Sequence, residues 1–183
     1  MRSFNRFLTV AIAIITASFT AIDAQAFSAD ESGKTIEQRI ERELKMLPRY
    51  EVFDHIGYKV EGSTVTLYGK VINGINKSDA RNRVAAIPGV ERVVDNIDLL
   101  PPGRFDDVIR RNLYRSLANT GGLSRYLWPV NPPVRLIVER GNITLEGYVA
   151  NQADYNTMNI VARSVPGTFT VTNNLVINNG RAG

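Results

Sequence analysis

The fold of this chain is decided by the stretch VTLYGKV at residues 65–71, which recurs 78 positions later as ITLEGYV at residues 143–149. The register continues without a gap, so that IPG at 87–89 falls on VPG at 165–167. A period of this length is too long for a solenoid unit and suits two small domains in tandem. The sequence therefore predicts a duplicated domain, joined by a Pro/Gly linker at residues 101–104.

Both repeats carry the same order of elements. In the first, apolar residues at helical spacing follow a capping box formed by Thr35 and Gln38. Two alternating stretches within residues 56–71 predict a hairpin, residues 76–87 predict a second helix, and residues 90–99 predict a third strand. We therefore predict an α+β fold of two tandem αββαβ domains. Each domain is expected to be a small three-stranded mixed sheet with two helices packed on one face.

The first 26 residues have the pattern of a secretory signal peptide. Two arginines accompany an apolar stretch of 15 residues, and Ala24-Gln25-Ala26 supplies a cleavage site. The stretch is shorter than the ~20 residues that span a bilayer, so a retained membrane anchor is the less favoured alternative. We expect cleavage after Ala26 and export to the periplasm. Because the chain has no cysteine, we do not expect a lipoprotein.

These patterns divide the chain into six parts. They are a signal peptide (1–26), a flexible mature N-terminus (27–33), a first domain (34–100), the linker (101–104), a second domain with a loop insertion (105–178) and a flexible tail (179–183). The relative orientation of the two domains and the oligomeric state stay open at this stage.

Composition argues against several classes of function. The chain has no cysteine and one histidine, His55, which excludes disulfides, thiolate chemistry and a multi-histidine metal site. A formal net charge of +4 suits an anionic surface but is too small for a dedicated nucleic-acid-binding protein. There is no glycine-rich phosphate-binding loop, and Asp54 beside His55 is expected on the opposite face of a strand. We therefore expect a non-enzyme with no catalytic residues, no metal and no cofactor.

The glycines shared by the repeats have structural explanations. Gly69 and Gly147 lie inside strand patterns, where glycine marks a bulge or a close approach by packed chain. Gly89 and Gly167 follow a proline at a helix end and act as terminators. We assign all four to structure and not to ligand binding.

Taken together, these motifs resemble the BON domain, named for bacterial osmotic stress and nodulation. The resemblance rests on VTLYGKV in the second strand, PGV at 88–90, VVDN at 93–96 and a looser second copy with ITLEGYV and PG at 166–167. It covers nearly the whole chain after residue 26. It implies a non-catalytic periplasmic protein associated with envelope and outer-membrane integrity under osmotic stress. Phospholipid binding is the usual activity proposed for that family.

The two repeats differ by eight residues inserted between the first helix and the first strand. The longer loop of the second repeat, residues 119–129, contains Arg125, Tyr126 and Trp128, the single tryptophan of the chain. Aromatic rings beside a guanidinium suit the boundary between water and a membrane. The alternative is that Leu127 and Trp128 cover the core or the seam between the domains.

The helix before this loop is basic, and residues 104–183 hold nine arginines against five acidic residues. Placing Phe105, Ile109, Leu113 and Leu117 on the apolar side leaves three arginines and a tyrosine within an arc of about 140°. We predict that the second domain binds an anionic phospholipid surface. The predicted lipid-binding residues are Arg110, Arg111, Tyr114, Arg115, Arg125, Tyr126 and Trp128. The alternative for the helix is an ordinary solvated face.

A protein-interaction or scaffolding module is the competing function. In that case the aromatic loop would dock an envelope protein or a second copy of the chain. Lipid attachment should weaken with ionic strength, whereas an interface built on Trp128 should resist salt. A hydrolase that recruits a serine and an aspartate to His55 is a distant third alternative.

Overall fold

The first helix begins at the predicted capping box. Thr35 Oγ1 accepts a hydrogen bond from the amide of Gln38 at 3.3 Å, and Gln38 Oε1 accepts one from the amide of Thr35 at 3.1 Å. These bonds satisfy amides that an α-helix leaves unpaired in its first turn. The elements of the first repeat are α1 (Ile36–Lys45), β1 (His55–Glu61), β2 (Thr64–Val71), α2 (Gly74–Ala85) and β3 (Arg92–Leu99).

The second repeat follows the same order with one addition. Its elements are α3 (Arg104–Ala118), a 3₁₀ helix (Leu123–Tyr126), β4 (Val134–Glu139), β5 (Asn142–Val149), α4 (Gln152–Ser164) and β6 (Thr170–Ile177). The structure, a computed structural model, describes residues 35–178. The predicted signal peptide (1–26), the segment 27–33 and the tail 179–183 lie outside the described residues.

Each repeat forms a three-stranded mixed sheet, with strand orders β1-β2-β3 and β4-β5-β6. The first two strands of each sheet are antiparallel and the last two are parallel. The registers are equivalent, since Val65 pairs with Val93 while Ile143 pairs with Val171. The predicted α+β fold of two tandem αββαβ domains is confirmed.

Two apolar cores lie between the helices and the sheets. The first core joins Ile40 of α1 and Val84 of α2 to Leu67 of β2. The second joins Leu113 of α3 and Met158 of α4 to the strands of its own sheet, and it also includes Val52 of the first repeat. The first repeat therefore contributes to the core of the second.

The glycine that both repeats carry inside their second strand has a steric cause. Gly69 has φ of +122° and Gly147 has φ of +108°, a region that side chains rarely adopt. A Cβ on Gly69 would lie 2.1 Å from the carbonyl oxygen of His55, and one on Gly147 would lie 1.9 Å from that of Pro133. The close approach comes from the backbone of the neighbouring segment in the sheet.

A short segment of the first repeat joins the edge of the second sheet. The amide of Leu136 in β4 donates to the carbonyl of Val52 at 2.8 Å, so this edge of the strand is partly paired. Arg135 is 7% exposed, donates from Nη1 to the carbonyl of Glu51 at 2.9 Å and lies 4.1 Å over the ring of Tyr50. These contacts fix β4 against the residues that precede β1.

Further polar and aromatic contacts extend this seam. Lys70 of β2 forms an ion pair with Glu139 of β4, and the ring of Phe53 lies 6.3 Å from that of Tyr114. Residues of both repeats thus share one compact unit. Within residues 35–178, no helix is long and apolar enough to cross a membrane, and no cluster of three metal-ligating side chains is found.

Candidate functional site: the outer face of helix α3 and its following loop

The outward face of α3 carries a row of arginines. Ile109, Leu113 and Leu117 anchor the opposite side of the helix in the core. Because a helix turns 100° per residue, positions 104, 108, 111 and 115 fall within about 60° of one another on the side away from that core. The exposed residues at these positions, which we call the α3 stripe, are Arg104, Val108, Arg111 and Arg115.

The positive charge of the α3 stripe is not neutralised locally. Among the described residues, its three arginines form no ion pair. The two aspartates of the first turn have other partners: Asp107 accepts from Arg110 at 2.7 Å. Asp106 accepts from the amides of Arg140 at 2.7 Å and Gly141 at 2.9 Å, where it holds the β4–β5 turn. The stripe therefore presents three cations directly to solvent.

Arg110 is not part of this face, which corrects the helical-wheel prediction. The side chain is 4% exposed and donates from Nη2 to the carbonyl of Val138 at 2.7 Å, while Nη1 pairs with Asp107. The prediction counted Phe105 as a core residue, and this rotated the predicted apolar side of α3 by about 40° from the side that is buried in the structure. Since Asp106 and Arg110 are buried instead, the exposed face moves onto Arg104.

Exposed aromatic rings flank the start of the α3 stripe. Phe105 is exposed, and its ring lies 5.9 Å from that of Phe169, which is 72% exposed. The amide of Phe169 donates to the carbonyl of Gly141 at 2.8 Å, which fixes this loop beside the β4–β5 turn. Sequence reasoning missed this pair because Phe105 fitted the apolar periodicity. A signal existed for Phe169, since the equivalent position in the first repeat is Glu91.

Within the inserted loop, Arg125 and Tyr126 hold the loop against the domain. Tyr126 is buried in the 3₁₀ helix, donates from its hydroxyl to Asp154 at 2.6 Å and accepts from the amide of Ala150 at 2.9 Å. Arg125 pairs with the same Asp154 and lies 4.7 Å over the ring of Tyr126. The polar groups of both side chains therefore contribute to loop structure.

Trp128 projects from the end of this loop into solvent. Leu127 is buried, whereas Trp128 is 68% exposed and Val130 is 92% exposed. The amide of Trp128 donates to the carbonyl of Ser124 at 3.1 Å, so the backbone is fixed although the ring is free. The alternative from the sequence was that Leu127 and Trp128 both cover the core or the seam. Leu127 does cover the core, whereas Trp128 does not.

The seven predicted residues therefore fall into separate environments. Arg111, Arg115 and Trp128 are exposed, and Arg125 is exposed but paired. Arg110 and Tyr126 are buried, and Tyr114 is half-buried against Phe53. Arg104, Val108 and the Phe105–Phe169 pair extend the exposed set beyond the prediction.

The comparisons with known proteins agree with this duplicated architecture. The family model described as the BON domain matches the chain twice, over residues 32–101 and 105–179. The chain belongs to the BON-domain family and carries two copies of the domain. Family membership points to an envelope-related periplasmic protein, and BON domains are generally non-catalytic.

Solved structures add only a distant likeness. Two structures of CdsD, a structural protein of the type III secretion system of Chlamydia trachomatis, are each 15% identical in sequence. One, of the C-terminal domain, has a TM-score of 0.31 and covers 77% of this chain and 96% of that chain. The other has a TM-score of 0.32 and covers 81% of this chain and 99% of that chain. The search of curated proteins found no match.

Proposed function

We propose that this protein binds anionic phospholipid surfaces of the bacterial envelope through its second BON domain and supports envelope integrity under osmotic stress. The observation that carries the proposal is the α3 stripe, three solvent-facing arginines on one helix, beside the exposed rings of Phe105 and Phe169. Arginine guanidinium groups match phosphate, and aromatic rings rest at the headgroup level of a bilayer. The proposal places the protein in the periplasm, as its family suggests.

The geometry suits a helix lying on the surface of a membrane. The 15 residues of α3 span about 22 Å, and the stripe runs along most of that length. Each arginine near an anionic surface contributes about 1 kcal/mol. Attachment through charge alone would be weak and sensitive to salt, and insertion of Phe105, Phe169 or Trp128 would strengthen it.

Tryptophan fluorescence of the predicted mature chain, residues 27–183, tests this proposal directly. Trp128 is the single tryptophan and is largely exposed, so its emission should begin at long wavelength. Vesicles with anionic headgroups should shift the emission to the blue at low salt, and added salt should reverse the shift. Neutral vesicles should leave the spectrum unchanged.

A matched pair of charge reversals locates the surface. Arg111→Glu/Arg115→Glu should abolish vesicle binding, because both residues lie on the α3 stripe. Arg81→Glu/Arg92→Glu makes the same change in net charge at exposed positions of the first repeat and should retain binding. Equal loss in both variants would reduce the effect to net charge and contradict a site on α3.

Scaffolding of an envelope protein is the second candidate function. The observation that favours it is the pair of exposed apolar side chains in the loop, Trp128 and Val130. An interface built on a tryptophan resists salt because its core excludes water. Salt-resistant association that Trp128→Ala removes, together with no response to anionic vesicles, would favour scaffolding.

A further inference from the structure

The outward faces of β2 and β5, together with the free edge of β1 and helix α1, line a cleft that the membrane proposal does not use. One part, of about 570 Å³, lies between β2 and the second sheet and is lined by Lys70, Glu139, Asn142, Thr144 and Glu146. An adjacent part, of about 540 Å³, is lined by tyrosines and by the loop before β4. His55 and Tyr68 line both parts, so they adjoin. Each volume falls within the range of about 300–1,000 Å³ of small-molecule sites.

Aromatic faces dominate the second part of the cleft. It is lined by four of the seven tyrosines of the chain, which are Tyr50, Tyr58, Tyr68 and Tyr148. Tyr50 is covered by Arg135, but Tyr68 and Tyr148 are each about half exposed. The ring of Tyr68 lies over Gly57, where a Cβ would come within 2.6 Å of it. Two ring faces are therefore available to a ligand.

The charges that line the cleft are largely compensated. Lys70 pairs with Glu139, and Arg135 is engaged by the ring of Tyr50 and the carbonyl of Glu51. Of the other charged residues in the lining, Glu41 pairs with Lys45 at 2.9 Å, and Glu146 accepts from Asn174 Nδ2 at 2.8 Å. Such a lining offers both donors and acceptors but attracts neither an anion nor a cation strongly.

We propose that this cleft binds a neutral oligosaccharide. The apolar faces of the sugar rings would pack on Tyr68 and Tyr148, which supply flat contact area at low entropic cost. The ring hydroxyls would bond to Thr144 and Glu146 along the outer face of β5, which together offer a donor and acceptors. Asn142 is already bonded within the protein, to Thr170 Oγ1 and the carbonyl of Glu139. An acyl chain is a poor occupant, because hydrocarbon offers no hydrogen bonds to Thr144 and Glu146.

Titration of the mature chain with neutral tetrasaccharides of N-acetylglucosamine and of glucose tests the proposal. Amide chemical shifts recorded by NMR should change at β2 and β5 and saturate for at least one of the two. Tyr148→Ala should raise the dissociation constant about tenfold, and Tyr148→Phe, which keeps the ring, should change it by less than about twofold. Circular dichroism checks the fold of each variant.

Arg111→Glu/Arg115→Glu separates this proposal from the membrane proposal. Neither arginine lines the cleft, so this variant should bind the tetrasaccharide normally while losing vesicle binding, which sedimentation measures. Tyr148→Ala should do the reverse. Failure of both tetrasaccharides to bind, or an unchanged dissociation constant in folded Tyr148→Ala, would overturn the oligosaccharide site.

Discussion

The two BON domains satisfy the same backbone group by different means. In the first repeat, the amide of Ile72, just after β2, donates to Asp54 Oδ1 at 2.7 Å. Asn76 Nδ2 donates to the other carboxylate oxygen of Asp54 at 2.8 Å. One buried aspartate therefore joins the end of β2, the start of α2 and the segment before β1.

In the second repeat a tyrosine from the inserted loop does this work. Pro132 stands at the position of Asp54 and has no side-chain acceptor. The amide of Ala150, equivalent to Ile72, donates instead to the hydroxyl of Tyr126, which donates to Asp154. The insertion in the second repeat therefore replaces a structural contact of the first and also carries Trp128 into solvent.

The largest expected effect is one that both repeats share. Gly69→Ala and Gly147→Ala should each lower the free energy of unfolding by about 3 kcal/mol or more, because a Cβ meets a carbonyl oxygen at φ values unfavourable for side chains. Urea denaturation measures the change. Gly62→Ala is the control, since φ is +62° there but nothing lies within 4 Å. A cost of about 1 kcal/mol at Gly62 isolates backbone strain from the clash.

A second prediction separates two neighbouring arginines of α3. Arg110→Gln should cost about 2 kcal/mol of stability, since its buried guanidinium bonds to the carbonyl of Val138. Arg111→Gln should leave stability within about 0.5 kcal/mol and weaken vesicle binding instead. Thermal unfolding and vesicle sedimentation measure the two effects. Equal losses of stability in the two variants would contradict the assignment of Arg110 to the interior and Arg111 to the surface.

A third prediction tests whether Tyr126 in the second repeat does the structural work of Asp54 in the first. Tyr126→Phe should lower the free energy of unfolding by about 1 to 2 kcal/mol, because the amide of Ala150 and the carboxylate of Asp154 lose a partner in a partly buried site. Hydrogen exchange should quicken at Ala150 and remain slow at Ile72. Unchanged exchange at Ala150 would mean that water replaces the hydroxyl without cost.

The smallest expected effect concerns pH at the seam. Burial lowers the pKa of His55, with the charge of Glu146 acting to raise it and that of Arg135 acting to lower it. Because the folded pKa lies below the ordinary value near 6.5, the unfolded chain binds the proton more readily, and stability falls as pH drops below about 6.5. His55→Gln should flatten this part of the stability profile. If the stability of the wild-type protein and of His55→Gln fell equally with pH, groups other than His55 would be responsible for the pH dependence.

Much of the fold was predictable because its signals are local. The capping box of Thr35 and Gln38, the alternation within residues 65–71 and the repeated glycine each concern neighbours in sequence or in one hairpin. The exchange of Asp54 for Tyr126 was not predictable. It joins residues that are far apart in the chain, and no periodicity marks a hydroxyl that bonds across the fold.

The candidate site was predictable only in part. The sequence indicated a basic helix and an aromatic loop, and Arg111, Arg115 and Trp128 are exposed in the structure. It misassigned Phe105 and Arg110, since the periodicity of a single helix defines its apolar side only within a few tens of degrees. Contacts with Val138 and the β4–β5 turn determine the rotation of α3 about its axis.

Two tandem αββαβ domains follow from the amino-acid sequence, because hydrophobic periodicity, helix caps and strand glycines act over short distances and recur 78 residues apart. The sequence does not specify which arginines of α3 face solvent, that Tyr126 is buried while Trp128 is exposed, or that residues 50–53 pack against β4. These features depend on the whole surface that a side chain meets in the folded protein. That surface is assembled from segments distant in sequence.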